Sequence, residues 1–346
     1  MKMITLGKTG ITVPQNAFGA LPVQRRSFED AAEILRSAYE GGMTFFDTAR
    51  AYSDSEEKIG LALSDVRKNI FIATKTGAST PEEMKRHIDT SLKNMKTDYI
   101  DIYQFHMAGQ CFAPGDGTGM YECMEDFKRQ GMIRHIGITC HKIGVAEECV
   151  KSGLYETMQF PFSYLTGEKE LNLVNMCRQQ NMGFIAMKGL AGGLINNSRA
   201  AFAFISQFDN VLPIWGIQTM EELKEWLSYM DNPPVLDQEL QSVIDADRKE
   251  LDGEFCRGCG YCMPCPQGIK INNCARMSLM IRRSPSESWL SEEWQQAMMD
   301  IEKCVGCGAC IKNALMSLTL RSFLRKILRI INVFLPVKSR FNPVKD

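Results

Sequence analysis

Nothing in the 346 residues approaches the roughly 18 consecutive apolar positions that a membrane span requires. The opening stretch, MKMITLGKTG, has no apolar core of the length a secretory signal needs. Net charge is nearly absent too: 40 Lys and Arg against 41 Asp and Glu leave −1, which gives no sign of a nucleic-acid-binding surface. No G-x-G-x-x-G follows the first strand-like run, which weakens an open dinucleotide-binding sheet. A flavin motif is likewise missing, and no cysteine follows Cys310. The chain is nevertheless rich in cysteine. Thirteen of them without a secretory signal argue against a disulfide scaffold and for metal chemistry in a reducing compartment, so the cytoplasm is the expected location.

What is present is a regular alternation. Short apolar runs read as strands: NAFGALP, MTFFDT, IFIATKT, DYIDIYQFH, HIGIT, TMQF, GFIAMK and VLPIWG. Amphipathic patterns lie between them, at 28–41, 81–95, 143–152, 168–180 and 219–229. Ser79-Thr80-Pro81-Glu82 is a helix start signal ahead of one of these. Eight strand–helix units in little more than 200 residues predict a parallel α/β fold, with the (β/α)₈ barrel as its closed form and a doubly wound open sheet as the alternative. Periodicity fades after Pro233-Pro234. The expected organisation is a barrel over 1–235, a cysteine-rich domain over 253–313, and a basic tail over 314–346.

In a barrel of this kind the reactive groups sit at the carboxyl ends of strands. Asp47 closes TFFD, Lys75 closes IATK and His106 closes YQFH, while Tyr52 lies in the loop after Asp47. Taken singly, such an Asp is usually a helix cap and such a Tyr or Lys a surface residue. Taken together, on three consecutive strands, they resemble the Asp–Tyr–Lys–His tetrad of the aldo/keto reductase family. The likeness runs from ITLGKTG through ELKEWL, and one branch of that family carries a ferredoxin-like domain with motifs similar to CRGCGYCMPCPQGI.

The resemblance implies reduction of a carbonyl, or oxidation of an alcohol, with a nicotinamide cofactor. Tyr52 would be the general acid. A free phenol, with pKa about 10, is a poor acid near neutrality, and the Lys75 ammonium is expected to lower it. Asp47 would anchor Lys75, and His106 would orient the carbonyl oxygen. By the same likeness Thr139 and Gln159 would contact the cofactor carboxamide, and Met187 would stand where many members stack an aromatic on the ring. Gly189, Leu190 and Gly193 would form the loop over the pyrophosphate, each with a plain glycine-turn reading beside it. Gly216 and Gln218 lie in the last β/α loop, the family's cofactor-phosphate segment, with Glu222 nearby. A carboxylate there repels a phosphate, although backbone N–H groups at a helix start can bind one. The cofactor is therefore NAD(P), with a lean toward NAD.

Eight cysteines lie between 256 and 310. Cys256, Cys259, Cys262 and Cys265-Pro266 form one run, and Cys304, Cys307 and Cys310 form a second that breaks off before its fourth member. Such spacing suits 4Fe–4S cubes or zinc, and the tight run ending in Cys-Pro favours iron–sulfur. In two-cluster ferredoxins the fourth cysteine of each run serves the other cluster. On that rule Cys265 joins Cys304, Cys307 and Cys310 around one complete cube. The remaining set of Cys256, Cys259 and Cys262 recruits Cys274, keeps three irons, takes an outside ligand, or stays empty. Cys111, Cys123, Cys140, Cys149 and Cys177 are expected to be packed thiols.

Residues 311–346 carry eight Lys or Arg against one acid, so they are +7 and leave −8 to the rest. Leu320, Phe323, Leu324, Ile327, Leu328 and Ile331 fall on one helical face, with Arg321, Arg325 and Arg329 on another. Such a helix can lie on an anionic membrane or dock to an acidic partner. The alternatives are packing on its own domain, or a shifted reading frame after Asn313, since Asn-Ala-Leu-Met can arise from Asn-Cys-Pro-Tyr codons by loss of one base.

Hydride carries two electrons, whereas a cube exchanges one at a time. The leading expectation is thus an oxidoreductase of a small carbonyl or alcohol with an attached electron-transfer module and a redox partner protein. The alternative is a redox sensor or electron carrier whose barrel binds nucleotide with little turnover.

Overall fold

The computed structural model describes residues 1–251, 256, 262–283 and 287–313; Cys259 and the expected tail helix lie outside the described residues. All eight strand-like runs form strands. In chain order they are β3 (Ala17–Gly19), β4 (Phe45–Asp47), β5 (Phe71–Thr76), β6 (Ile100–Phe105), β7 (Ile133–Thr139), β8 (Thr157–Pro161), β9 (Gly183–Met187) and β10 (Val211–Gly216). Each pairs in parallel with its sequence neighbour, and β10 pairs with β3, which closes the barrel. The helices between them are α1 (Phe28–Glu40), α2 (Ser55–Leu63), α3 (Pro81–Asn94), α4 (Met120–Arg129), α5 (Ile143–Ser152), α6 (Glu168–Gln179), α7 (Ser198–Ile205) and α8 (Met220–Asp231). The start signal at 79–82 works as its chemistry dictates. Thr80 Oγ1 accepts the N–H of Glu83, Pro81 takes the first helical position, and Glu83 accepts from the Ser79 N–H.

The periodicity gave no signal for a hairpin, β1 (Met3–Thr5) with β2 (Thr12–Pro14), because each strand is only three residues long. Ile4 and Val13 of this hairpin join Phe45, Ala73, Ile102, Ile185 and Leu212 of the barrel in one fully apolar cluster. The hairpin therefore plugs the end at which the strands begin.

The chain divides into two compact units. The first comprises Met1–Gly189 and Arg199–Gln241, and the second comprises Leu190–Ser198 with the described residues from Ser242 onward. The division falls within α9 (Gln238–Glu250). Leu190–Ser198, expected as part of the barrel, belongs to the second unit. That unit contains α10 (Ile271–Cys274), α11 (Met277–Arg283), α12 (Glu292–Met299) and α13 (Ala309–Asn313). Its core is small: Ile269, Ile271, Ala275, Met277, Ile281, Met298 and Ile301, with Trp289 and Trp294 packed at its edge. Of the five cysteines outside the cysteine-rich run, four are buried and Cys111 is half-buried.

Close backbone approach fixes one glycine of the barrel shell. A Cβ on Gly60 of α2 would overlap the Asn94 carbonyl oxygen and lie 2.8 Å from Met95 Cα, whereas one on Gly144 of α5 would meet nothing within 4 Å. Alanine gains about 1 kcal/mol of helix propensity over glycine. Gly144→Ala is thus expected to be neutral or stabilising in chemical denaturation. Gly60→Ala should destabilise by roughly 2 kcal/mol or more, since backbone must move to admit the methyl.

Candidate active site

Side chains two residues apart on a strand share a face. Phe45, Ala73 and Ile102 lie in the apolar plug of the barrel, and two residues further along their strands stand Asp47, Lys75 and Gln104. The register sets Lys75 directly beside Gln104 and Asp47 beside Ala73. The same alternation that fills the floor with hydrocarbon thus places polar groups one layer higher, where the strands end.

Lys75 is only 1% exposed. Its ammonium donates to Asp47 Oδ1 at 2.6 Å and to the Thr48 carbonyl at 2.6 Å. It also sits 5.1 Å from the centre of the Tyr52 ring. Burial works against its charge, but Asp47 and Tyr52 more than offset this and its pKa is raised, so the ammonium persists. Burial pushes the Asp47 carboxyl up, opposed by Lys75, Gln159 and Gln104.

Tyr52 overturns the expected direction. Burial raises its pKa above 10, and Lys75 pulls it back only in part. A lone ammonium lowers a phenol's pKa in water, but here the phenolate must also be desolvated, and that cost dominates. The resting group is a fully protonated phenol. His106 presents its ring edge-on to Tyr52, with centroids 5.7 Å apart. Burial, then Lys75 and His141, lower its pKa to about 3, so it is a neutral imidazole.

Several supporting residues gave no sequence signal. Glu56 is fully buried, accepts from Thr74 Oγ1 at 2.8 Å and Ser91 Oγ at 2.7 Å, and pairs with Arg50. Arg50 lies between Asp47 and Tyr52, and its own N–H donates to the Lys75 carbonyl at 3.0 Å. Ser55 bridges Thr48 and the Ala20 carbonyl. The loop carrying Tyr52 is therefore pinned on both flanks. Gln104 donates to Gln159 Oε1 at 3.0 Å and to Asp47 Oδ2 at 3.5 Å. Its position two residues before His106, on the same strand face, was the available clue. His141 bears a similar relation to Thr139, and burial, with Lys188 adding to it, lowers its pKa to about 4.

The expected cofactor residues are placed as follows. Thr139 and Gln159 are register partners and both are buried. Thr139 Oγ1 accepts the Met107 N–H at 2.9 Å, which leaves its proton to donate, and Gln159 Nε2 reaches Asp47 Oδ1 at 3.4 Å. A hydroxyl donor beside an amide suits a carboxamide, which needs both a donor and an acceptor. Met187 ends β9, half-buried against the plug. Gly189 has a packing reason of its own: a Cβ there would sit 2.5 Å from the Trp215 ring, which in turn stacks on Trp226 at 4.0 Å. Gly216 similarly faces Pro22. The N–H groups of Gln218 and Thr219 are occupied by Glu222 Oε2, at 2.8 and 3.3 Å, as part of the cap of α8. Leu190 and Gly193 lie in the second unit, where the Gly193 N–H bonds the Leu190 carbonyl at 2.9 Å.

In the second unit a cavity of about 60 Å³ is lined by Cys265, Cys304, Cys307 and Cys310, with Ile269, Ile271 and Val305. These four are the cysteines expected around the complete cube. Gly306 and Gly308, at φ 71° and 74°, supply the left-handed turns that let residues 304–310 bend around the cavity. Four sulfurs in an apolar cavity fit a cube, which takes thiolates at its corners and tolerates little water. Cys274 does not join the incomplete set. It is fully buried in the apolar core, its thiol donates to the Ala297 carbonyl at 3.3 Å, and burial raises its pKa to about 12. Cys256 and Cys262 pack at the edge of the same core.

The aldo/keto reductase family matches residues 15–202, and a 4Fe-4S dicluster domain matches 255–314. Aldo-keto reductase YhdN of Bacillus subtilis is 26% identical over 214 residues, which covers 56% of this chain and 64% of that protein. In fold, the chain is similar to the aldo-keto reductase AKR11C1 from Bacillus halodurans in its holo form, at TM-score 0.63 and 23% identity over 71% of this chain and 96% of that one. It is also similar to an aldo/keto reductase from Klebsiella pneumoniae in complex with NADP and acetate, at TM-score 0.61 and 20% identity over 71% and 95%. A closed eight-stranded barrel with this matching family region, followed by a cysteine-lined domain of 4Fe-4S type, makes the chain a member of the aldo/keto reductase family with an iron–sulfur domain C-terminal to its barrel.

Proposed function

We propose that the protein reduces a small-molecule carbonyl, or oxidises the corresponding alcohol, with a nicotinamide cofactor at the carboxyl end of the barrel. One observation carries this reading: the Tyr52 ring lies 5.1 Å from a buried ammonium, Lys75, that Asp47 holds at 2.6 Å. The nicotinamide, when bound, supplies or accepts hydride. Tyr52 holds the proton that the carbonyl oxygen needs, and its raised pKa keeps that proton in place at rest. As the proton leaves, Lys75 stabilises the forming phenolate in a site where water is scarce. Neutral His106 can donate a hydrogen bond to the same oxygen without competing as an acid. Thr139 and Gln159 would hold the carboxamide, Gly189, Leu190 and Gly193 the pyrophosphate, and Gly216 and Gln218 the adenosine side. Met187 offers the ring a thioether surface in place of an aromatic one.

NAD is the favoured form. The backbone N–H groups that could receive a 2′-phosphate already hold the Glu222 carboxylate. Cys265, Cys304, Cys307 and Cys310 would hold a complete 4Fe–4S cube that exchanges single electrons with a partner protein, and exposed Cys307 brings that set to the surface. Cys256, Cys259 and Cys262 would hold an incomplete cluster.

Three expected outcomes test these assignments. Tyr52→Phe should lower kcat for aldehyde reduction, followed at 340 nm, by about 10²–10⁴-fold while leaving NADH binding intact. If the variant turns over like the parent, Tyr52 is not the acid. A parent protein inert toward every carbonyl, but binding a redox partner only with clusters loaded, points instead to the sensor. Glu222→Gln keeps the helix cap and removes the charge. It should raise the ratio of kcat/KM with NADPH to that with NADH about tenfold, and an unchanged ratio removes Glu222 from cofactor choice. Finally, His106 and His141 have folded pKa values lowered to about 3 and about 4 from 6.5. The unfolded chain therefore binds more protons below pH 6.5, and stability falls as pH drops through that window, by up to about 1.4 kcal/mol per unit for each. Urea midpoints from pH 7 to pH 5 should fall, and less so in His106→Gln.

A further inference from the structure

Gln104 of β6 and Gln159 of β8 share a hydrogen bond although β7 runs between their strands. The register explains how. Gln104 is the partner of Gly137 on β7, and Gly137 is the partner of Thr157 on β8, two residues before Gln159. At Gly137 the intervening strand has no side chain, and that of Gln104 passes over the gap. A Cβ there would overlap Thr157 Oγ1 and lie 2.9 Å from Gln104 Cγ. A larger residue at this point would bar the crossing.

The crossing sets an orientation. An amide has two unlike ends, and turning it over exchanges a donor for an acceptor. Gln104 Nε2 donates to Gln159 Oε1 at 3.0 Å and reaches Asp47 Oδ2 at 3.5 Å. Gln159 Nε2 reaches Asp47 Oδ1 at 3.4 Å. If Gln104 turned over, its oxygen would face both the Asp47 carboxylate and the Gln159 oxygen. If Gln159 turned over, its oxygen would face the carboxylate and two Nε2 groups would meet. Turning both restores the bond between them but points two oxygens at the carboxylate. Each alternative sets like partial charges together, and none of the three side chains is more than 2% exposed, so water does not screen them. Asp47, held by Lys75 at 2.6 Å, therefore orients Gln104, and Gln104 orients Gln159. The arrangement has a cost. Gln104 Oε1 is buried and has no partner among the described residues.

Oriented in this way, Gln159 Oε1 keeps a lone pair for an amide N–H. Its register partner Thr139 accepts the Met107 N–H at 2.9 Å and has its own proton to give. An acceptor and a donor side by side match the N–H₂ and C=O of a carboxamide one way round only.

We propose that Gln104 is a positioning residue: crossing over Gly137, it locks the amide of Gln159 and so fixes which way round the nicotinamide carboxamide is received. This role rests on the proposed function, in which Gln159 meets the carboxamide.

The test compares the full-length, anaerobically purified protein with Gln104→Met, which keeps the length of the side chain and removes its polar atoms. Kd is measured by quenching of protein fluorescence for NADH, or NADPH if that is the form bound, and for its 3-acetylpyridine analogue. In the analogue an acetyl group, with a carbonyl but no N–H, replaces the carboxamide. The parent should bind the natural dinucleotide about tenfold more tightly than the analogue. Gln104→Met should weaken the natural form about tenfold and the analogue less than about twofold, so that the preference disappears. Equal weakening of both overturns the positioning role, because a generally loosened barrel does not tell acetyl from carboxamide. An unchanged preference overturns it as well, and a parent that shows no preference removes the Gln159–carboxamide contact and the inference with it.

A second readout needs no cofactor: hydrogen exchange at the side-chain ¹⁵N–H₂ group of Gln159 in glutamine-labelled protein. Gln104→Met should speed this exchange about tenfold, and exchange at the parental rate overturns the lock. Should Gln104→Met fail to fold, the more compact Gln104→Leu takes the same measurements with the same outcomes. A parent protein that binds neither NADH nor NADPH defeats the proposed function, while the exchange data still judge whether Gln104 locks Gln159.

Discussion

A buried ammonium is the constraint around which the barrel's chemistry is arranged. Removing Lys75 from water costs several kcal/mol unless every donor is met by an acceptor. Here the acceptors are the Asp47 carboxylate and the Thr48 carbonyl, and the Tyr52 ring lies 5.1 Å away. Asp47 ends β4 and Thr48 opens the loop after it, so the charge is tolerated only when β4, β5 and that loop are all in place. Asp47 in turn is engaged by Gln104 and Gln159, from β6 and β8. Four polar side chains from four strands thus form one hydrogen-bonded network beside Tyr52, and loss of any member leaves a buried group unmet.

The rest of the site serves that arrangement. Glu56 and Arg50 hold the loop that delivers Tyr52, and the hydrophobic plug beneath keeps water from the ammonium's underside. Burial has a second consequence. It raises the pKa of Tyr52 and lowers that of His106, so both are neutral near neutral pH while Lys75 stays charged. A neutral proton donor beside a fixed positive charge is poised for a reaction in which negative charge appears on the donor only as the proton moves.

Much of this was legible in the residues. Parallel strands buried on both faces read as continuous apolar runs, and all eight were visible because each ends abruptly in a polar residue or a turn. Asp47, Lys75 and His106 stood out for the same reason: each lies at or next to the end of its strand. What stayed hidden depends on the third dimension. The direction of the Tyr52 pKa turns on burial, which a loop residue does not advertise. Glu56 looked like an ordinary acid in the first turn of a helix, yet it is buried among Thr74, Ser91 and Arg50. Cys274 looked available as a ligand and proved to be a core thiol. Glycines proved the least legible: Gly189 and Gly216 fit a cofactor loop by motif, but each also has a ring of the protein itself against its α-carbon, Trp215 in one case and Pro22 in the other.

The broken cysteine run has a structural meaning whichever way the chain continues. Cys304, Cys307 and Cys310 cannot complete a cube from their own neighbourhood, and the cavity they line is completed by Cys265. A cube bound there closes a loop of roughly 40 residues, which contains α10, α11 and α12. Closing a loop of that length removes considerable entropy from the unfolded chain, so metal binding energy becomes folding energy for this unit. The unit's apolar core is small and partly built from the cysteines themselves, since Cys256, Cys262, Cys265, Cys304 and Cys310 all pack against it. A core of that size gains much of its stability from the ligands that cross it. Iron bound there would therefore be as much a part of this unit's architecture as of any electron chemistry it carries.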